Sequence, residues 1–250
     1  MSEAAAEATW TEDDSETYLG LSEIAVPDRE KQIDIVVALI GAAVARASGG
    51  PATVAELCCG GGELAETLLE RIDGLSYLGL DGSGRMLDRT RERTARFAGR
   101  TELRPFDLAA TDWRTGLDLT ACVSSLAVHH LDGPGKAALF ADIRKRLRPG
   151  GVFVLADLIE PATETGREIA ADAWDDAARS RSRSIQGGEA GYEAFQATKW
   201  NLYRHGDDTG VDTPSGVFEQ MRWLSEAGFA DIDLHYMVAG HVIFSAWAPR

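Results

Sequence analysis

The chain has few cysteines, the residues that stabilise many small proteins through disulfides or zinc sites. Three cysteines occur among 250 residues, two of them adjacent, and the sequence contains no Cys-x-x-Cys pair. A disulfide framework or a zinc site is therefore not expected. So few cysteines are also typical of proteins in a reducing compartment.

The chain is also poor in positive charge. Its 25 Lys and Arg residues stand against 40 Asp and Glu residues, which gives a formal net charge of −15. A protein that binds nucleic acid needs clustered cations to neutralise phosphates. DNA, RNA and anionic membranes are therefore disfavoured as partners, and we expect a small-molecule substrate.

Long apolar runs are missing as well. No stretch of the sequence reaches the ~20 apolar residues that span a membrane, and its acidic, polar start does not resemble a secretory signal. We therefore expect a cytoplasmic protein. A length of 250 residues with 44 % hydrophobic content suits one large domain, or one domain with an insertion. The oligomeric state stays open, with a homodimer as one candidate.

The sequence does contain a regular alternation of strand and helix patterns between residues 52 and 158. Such alternation predicts a parallel, doubly wound sheet. Two strand patterns near the C-terminus are separated by three residues, which permits only an antiparallel hairpin. The predicted fold class is α/β, with a doubly wound, mostly parallel seven-stranded sheet and an antiparallel C-terminal hairpin. The predicted strands are 52–57, 75–80, 101–105, 117–124, 152–158, 231–237 and 241–247.

Two segments lie outside this alternation. Residues 1–27 are acidic and polar at their start and are predicted to be a flexible segment. Residues 161–204 have helical spacing and are predicted to be an inserted helical lid, which leaves 28–160 and 205–250 for the main domain. Aromatic residues of these segments either wall a pocket or pack the lid onto the sheet. They are Trp10, Tyr18, Trp174, Tyr192, Trp200 and Tyr203.

A glycine-rich loop follows the first predicted strand, with the sequence C-C-G-G-G at residues 58–62. In doubly wound folds ligands bind beyond the carboxyl ends of the strands, and glycine lets the backbone approach a ligand closely. The spacing Gly60-x-Gly62-x-x-Ala65, with Asp81 about 20 residues further on, fits a dinucleotide fingerprint. A nicotinamide-dependent oxidoreductase is therefore one hypothesis.

Acidic residues at the ends of the first three strands favour a different cofactor. Glu56 can face a ligand ammonium, Asp81 can accept hydrogen bonds from both ribose hydroxyls, and Asp107 can accept one from an adenine amino group. S-adenosylmethionine carries an ammonium and a sulfonium, whereas a dinucleotide presents a diphosphate that a carboxylate repels. The terminal hairpin also differs from the all-parallel sheet of nicotinamide enzymes, and the sequence contains no Tyr-x-x-x-Lys pair.

Four segments together resemble the motifs of class I, Rossmann-like S-adenosylmethionine-dependent methyltransferases. They are E-L-C-C-G-G-G at 56–62, L-D-G-S-G-R-M-L at 80–87, V-S-S-L-A-V-H-H-L at 123–131 and L-R-P-G-G at 147–151. The resemblance covers roughly residues 52–158 and implies methyl transfer to oxygen, nitrogen or carbon of a small acceptor by in-line displacement. Two alternatives stay open: a methyltransferase fold that uses bound cofactor structurally for a non-methyl reaction, or an NAD(P)-dependent oxidoreductase.

The resemblance implies a set of residues that bind S-adenosylmethionine. Glu56 would bind the methionine amino group, Asp81 the ribose and Asp107 the adenine, while Ser124 would lie beside the sulfonium. Cys58 departs from the family pattern, because it stands where the family has its first glycine. The full set is Glu56, Cys58, Gly60, Gly62, Asp81, Gly82, Met86, Asp107, Leu108 and Ser124.

A general base is needed only if the acceptor must lose a proton, and histidine is the usual choice. His129 lies just beyond the fourth strand, beside the predicted methyl position, and His205 lies at the end of the predicted lid. Both are candidate catalytic residues, although histidines after this strand often have a structural role in the family. No pair of histidines has convincing metal-ligand spacing, so no metal is expected.

Overall fold

The computed structural model describes residues 11–47, 51–206 and 210–250. Seven strands form one sheet in the order β3-β2-β1-β4-β5-β7-β6. The first five strands run parallel, whereas β7 is antiparallel to β5 and β6 is antiparallel to β7. This confirms the predicted α/β fold with its terminal hairpin. The strands are β1 Ala52–Leu57, β2 Leu75–Asp81, β3 Thr101–Pro105, β4 Leu119–Ser125, β5 Leu147–Leu158, β6 Ala230–Val238 and β7 His241–Trp247.

Helices cover both faces of the sheet. They are α1 Glu12–Ala25, α2 Arg29–Arg46, α3 Glu63–Arg71, α4 Gly84–Arg93, α5 Gly133–Arg146, α6 Glu164–Gln186, α7 Ala190–Ala197, α8 Leu202–His205 and α9 Val217–Glu226. Side chains of a strand point alternately to the two faces. In β1, Val54 therefore packs among residues of α2 and α3, while Ala55 and Leu57 pack among residues of α5 and α9.

β5 is longer than the sequence pattern predicts. It begins at Leu147 rather than at residue 152, because the Pro-Gly-Gly segment continues the pairing instead of ending it. Gly150 has a positive φ of 75° and its N–H donates to the carbonyl of Ala248. Glycine tolerates this backbone conformation without steric cost, so the strand bends and stays paired.

The N-terminal segment differs from the prediction of a flexible stretch over residues 1–27. Residues Glu12–Ala25 form α1, which begins with a capping box between Thr11 and Asp14. The box satisfies backbone donors that would otherwise have no partner. Leu21, Ile24 and Ala25 are buried on the side of the insertion. The sequence reasoning gave weight to composition and overlooked this cap.

The helices α6, α7 and α8 occupy the insertion between β5 and α9. Trp174 donates its indole N–H to the carbonyl of Ala25 at 2.6 Å. The Tyr203 hydroxyl donates to the carbonyl of Ile159 at 2.6 Å. The insertion is thus packed on α1 and on the end of β5, around an apolar cluster that includes Ala170, Ala178 and Phe195.

The strand order changes direction between β1 and β4, since β2 and β3 lie on one side of β1 and β4 and β5 on the other. In an open α/β sheet the crevice at such a switch point binds ligands. Among the residues that the structure describes, no helix has the length and apolar character required to cross a membrane.

Candidate functional site

A cavity of 1230 Å³ lies at the carboxyl ends of β1, β2 and β4. Its volume exceeds the ~300–1,000 Å³ typical of a site for one drug-sized ligand, so it has room for a cofactor together with a small acceptor. The sequence-predicted residues that line it are Glu56, Cys58, Gly60, Asp81, Gly82, Met86, Asp107 and Leu108. The structure thus brings eight of the ten together.

The loop between β1 and α3 turns sharply through left-handed backbone conformations. Cys58, Gly60 and Gly62 have φ values of 54°, 53° and 77°. Cys58 stands where the family has glycine, and it adopts the conformation that favours glycine. Gly62 does not line the cavity: a Cβ there would lie 2.9 Å from the Cα of Thr90. Its role is the close packing of the loop on α4.

Asp81 joins the loops that follow β1 and β2. Its Oδ2 accepts the N–H of Gly60 at 2.8 Å, and its Oδ1 accepts the N–H of Ser83 at 2.9 Å. Burial raises the pKa of Asp81, although these backbone hydrogen bonds oppose the shift. The carboxylate is therefore held in one orientation at the edge of the cavity, where it can accept hydroxyl groups.

Glu56 is 2 % exposed and accepts a hydrogen bond of 2.6 Å from the Tyr77 hydroxyl. Burial raises the pKa of Glu56 to about 8, against the opposing effects of that hydrogen bond and of the Arg29 charge. Arg29 also lines the cavity, and its guanidinium contacts Glu63 at 2.8 Å and the Ser125 hydroxyl at 2.9 Å. A buried acid and a buried cation therefore lie on one wall.

The part of the cavity formed by the segments after β2 and β3 is less polar. Met86 is 3 % exposed and lines the cavity together with half-buried Leu108 and Phe106. Asp107 is exposed, and its Oδ1 accepts the N–H of Ala109 at 2.8 Å. Apolar side chains beside one acceptor suit a flat aromatic base with an amino group.

Ser124 lies elsewhere than the sequence suggests. It is fully buried, and its hydroxyl donates to the carbonyl of Leu57 at 3.3 Å. The next residue, Ser125, lines the cavity instead. Successive strand residues point to opposite faces, so a motif matched by sequence alone can assign the wrong one of two serines.

His129 is held between two carboxylates. Its Nδ1 lies 2.5 Å from Asp157 Oδ1 and its Nε2 lies 3.4 Å from Asp212 Oδ1. Burial opposes protonation, but the two acids outweigh it and raise the pKa of His129 to about 10. A general base needs a free ring nitrogen. Because both ring nitrogens of His129 face carboxylates, the geometry argues against the general-base role considered from the sequence.

His205 lies at the C-terminal end of α8, where it is exposed and does not line the cavity. The aromatic residues of the insertion are also absent from the described cavity wall: Trp174 and Tyr203 are buried in the packing of α6 and α8, and Tyr192 stacks on Phe195. Trp10 lies outside the described residues.

Another wall of the cavity comes from α1. Tyr18 and Leu19 line the cavity, and the ring of Tyr18 lies 6.1 Å from the ring of Trp200. Glu12 accepts hydrogen bonds from the Ser83 hydroxyl at 2.8 Å and from the Gly84 N–H at 3.1 Å, which attaches α1 to the start of α4. The covering element is therefore α1 rather than the insertion.

Sequence reasoning missed several lining residues because they come from distant segments. Residue types gave little signal: Arg29, for example, opens a helix whose first turn is charged and polar throughout. The missed residues are Leu19, Arg29, Val211 and Thr213. Ser125 and His130 lie within the motif recognised at 123–131, and Tyr18 is among the aromatic residues proposed from the sequence to wall a pocket.

Comparisons with known proteins agree with this geometry. Residues 54–151 match the family model described as a methyltransferase domain. The chain is similar to trans-aconitate 2-methyltransferase of Acidovorax sp., with 30 % identity over 131 residues, which are 50 % of this chain and 47 % of that protein. It is also similar to an uncharacterized methyltransferase of Synechocystis sp., with 29 % identity over 112 residues, 44 % of this chain and 48 % of that protein.

The chain thus spans about half the length of these curated relatives. A solved O-methyltransferase family protein from Burkholderia thailandensis has the same fold, with a TM-score of 0.65 and 15 % identity over 88 % of this chain and 56 % of that one. The methyltransferase-domain match over residues 54–151 and the shared fold agree with the resemblance stated from the sequence.

Proposed function

We propose that this chain, whose residues 54–151 match a methyltransferase domain, binds S-adenosylmethionine and transfers its methyl group to a small-molecule acceptor. The observation that carries the proposal is one wall of the cavity. There Glu56, Arg29 and Asp81 provide an acid, a cation and a second acid beside a glycine-rich loop. S-adenosylmethionine has a methionine part with an ammonium and a carboxylate, attached to a ribose. An acid, a cation and a second acid suit these three groups.

The residues present fit the cofactor by their chemistry. Arg29, a buried cation, would bind the carboxylate of the methionine part. Glu56 would bind the ammonium, since a cation beside it favours the ionised form of this buried acid. Asp81 would accept hydrogen bonds from the ribose hydroxyls, with Met86 and Leu108 against the adenine. A dinucleotide fits less well, because its diphosphate would meet the carboxylates of Glu56 and Asp81.

When bound, S-adenosylmethionine supplies a methyl group on a sulfonium, which is already a good electrophile. The chain's contribution is then orientation and exclusion of water. Holding two reactants in line can contribute roughly 7–11 kcal/mol to lowering a barrier. Tyr18 and Leu19 of α1, with Val211 and Thr213 on another side, would keep water from the acceptor.

The acceptor is proposed to be a small molecule, and oxygen, nitrogen and carbon acceptors all fit. Two observations support a small molecule: the 1230 Å³ of the cavity, and the net charge of −15, which disfavours nucleic acid. The Acidovorax relative is named for methylation of a small carboxylate, which agrees with this class of acceptor.

Titration calorimetry with S-adenosylmethionine, S-adenosylhomocysteine and NADH, each tested separately, examines the cofactor. We expect micromolar binding of the first two and none of NADH. Binding of NADH alone would indicate a nicotinamide-dependent oxidoreductase instead. Mass spectrometry of candidate acceptors then examines transfer: the gain of one methyl group supports it, whereas full conversion of a substrate with unchanged cofactor would support a structural use of the cofactor.

A further inference from the structure

We propose that His129, His130 and Asp212 form a binding site for a divalent transition-metal cation of the zinc type, at the far wall of the cavity. The sequence analysis expected no metal, because it had no means of pairing two adjacent histidines with an acid 82 residues away along the chain. The structure brings the ligand atoms of all three within 4.8 Å of one another.

Two of the three distances between the donor atoms lie near those of a metal site, and the third is within 4.8 Å. His130 Nδ1 lies 3.0 Å and His129 Nε2 lies 3.4 Å from the same oxygen, Oδ1 of Asp212. Zinc binds histidine nitrogen at about 2.0–2.1 Å and carboxylate oxygen at about 2.0–2.2 Å, so neighbouring tetrahedral ligands lie roughly 3.3 Å apart. Small side-chain adjustments would therefore seat a cation between the three donors, and the cation would displace the proton that Nε2 of His129 shares with Asp212.

Asp157 supplies the support that a metal-binding histidine requires. Its Oδ1 lies 2.5 Å from Nδ1 of His129, and its Oδ2 accepts the backbone N–H of the same residue at 2.9 Å. Both bonds fix the ring with Nε2 directed toward Asp212. Metal-bound histidines almost always donate their other ring N–H to a carboxylate or carbonyl in this way.

The two segments that carry the ligands are tied together by their backbones. Thr213 donates its N–H to the carbonyl of His129 at 2.7 Å and its hydroxyl to the carbonyl of Leu131 at 2.7 Å. The residue next to Asp212 is therefore bonded to both ends of the turn that carries the histidines. His130, Val211 and Thr213 line the cavity, so the cluster lies at its wall.

Two nitrogen ligands and one oxygen favour zinc, cobalt or another first-row transition metal over magnesium and calcium, which prefer oxygen. Three protein ligands also leave a position open, as in catalytic zinc sites. An acceptor hydroxyl or carboxylate would bind there; this use of the site rests on the proposed function, whereas binding of the cation does not.

The test uses the full chain, freed of metal with a chelator and then titrated with Zn²⁺ by calorimetry and with Co²⁺ by visible absorption. We expect one Zn²⁺ per chain and cobalt bands typical of histidine ligation. His130→Ala and Asp212→Asn should abolish the cobalt bands. Asp157→Asn should weaken Zn²⁺ binding by about 10- to 100-fold, as loss of a supporting contact typically does.

His205→Ala is the matched control, because His205 is exposed and outside the cluster; its binding should equal that of the wild type. Equal zinc affinity in the wild type, His130→Ala and Asp212→Asn would overturn the proposal, and so would absence of cobalt bands in the wild type. Circular dichroism of each variant checks its fold. Zinc binding without any binding of S-adenosylhomocysteine would leave the metal site standing and reject the proposed function.

Discussion

The two sides of the cavity are built in different ways. The strand-end side consists of residues 56–61, 81–86 and 106–109, which lie at or just after the ends of β1, β2 and β3. The far side consists of residues 11–23, 125–132 and 210–213, which come from the α1 segment, the turn after β4 and the segment before α9. The first side depends on local sequence and strand order; the second depends on how separate segments pack. Five predictions test this difference, from the largest expected effect to the smallest.

On the far side, Asp157→Asn should be the most damaging change. It removes the charge of a carboxylate that is 2 % exposed and holds His129, which is 6 % exposed. Breaking a buried ion pair by removal of one partner costs about 3–5 kcal/mol. The free energy of unfolding should fall by this amount in urea titrations with chelator present.

The control is Asp34→Asn, which breaks an ion pair with Arg71 in which both side chains are at least half exposed. Exposed pairs contribute about 0–1 kcal/mol. If both variants lose the same stability, the Asp157–His129 contact does not hold the far side.

On the strand-end side, Asp81→Ala should weaken binding of S-adenosylhomocysteine. Loss of hydrogen bonds to a charged group costs about 1.5–3 kcal/mol, or roughly 10- to 150-fold in affinity. Calorimetry measures the change. Asp88→Ala, on the exposed face of the following helix, should bind like the wild type, and an unchanged dissociation constant for Asp81→Ala would refute its role at the ribose.

Glu56→Gln should alter how stability depends on pH. Since burial raises the pKa of Glu56 from 4.5 to about 8, the folded protein keeps a proton that the unfolded chain releases between these values. The wild type therefore loses stability as pH rises through this window, by up to ~1.4 kcal/mol per pH unit. In thermal unfolding, the melting temperature of the variant relative to that of the wild type should rise from about pH 5 to about pH 8. A constant difference would contradict the shift.

A smaller effect is expected at Cys58. Its φ of 54° is left-handed, which costs an ordinary residue about 1–2 kcal/mol, while glycine adds about 0.4–1 kcal/mol of unfolded-state entropy. Cys58→Gly should therefore stabilise the protein by up to about 1.6 kcal/mol in urea titrations. Gly60→Ala, at a φ of 53° with open space around its Cβ position, should change stability in the opposite direction.

The last prediction compares α1 with the insertion. Residues of α1 line the cavity, whereas among the described residues none of α6–α8 does. Saturating S-adenosylhomocysteine should slow hydrogen exchange in α1 and leave α7 unchanged. Equal protection of both would mean that the insertion closes over the ligand, as the sequence alone predicts.

Much of the strand-end side could be read from the sequence. Glu56 and Asp81 lie at the ends of two mostly apolar strands, Asp107 follows the third strand, and the carboxyl ends of parallel strands meet at one edge. Errors arose where one residue of register or a local bond decided the outcome. Ser124 is fully buried and donates to the carbonyl of Leu57, whereas Ser125 lines the cavity. Thr11 caps a helix in a segment whose composition suggested flexibility.

The sequence by itself determined the alternation of strands and helices, the terminal hairpin and the acids at the strand ends, because each depends on periodicity or spacing within a few residues. Only the tertiary structure decided that α1 rather than the insertion walls the cavity, that Arg29 lies on the same wall as Glu56, and that Asp212 reaches His129 and His130. Contacts between distant segments follow from three-dimensional packing, and a single sequence carries no local pattern that records them.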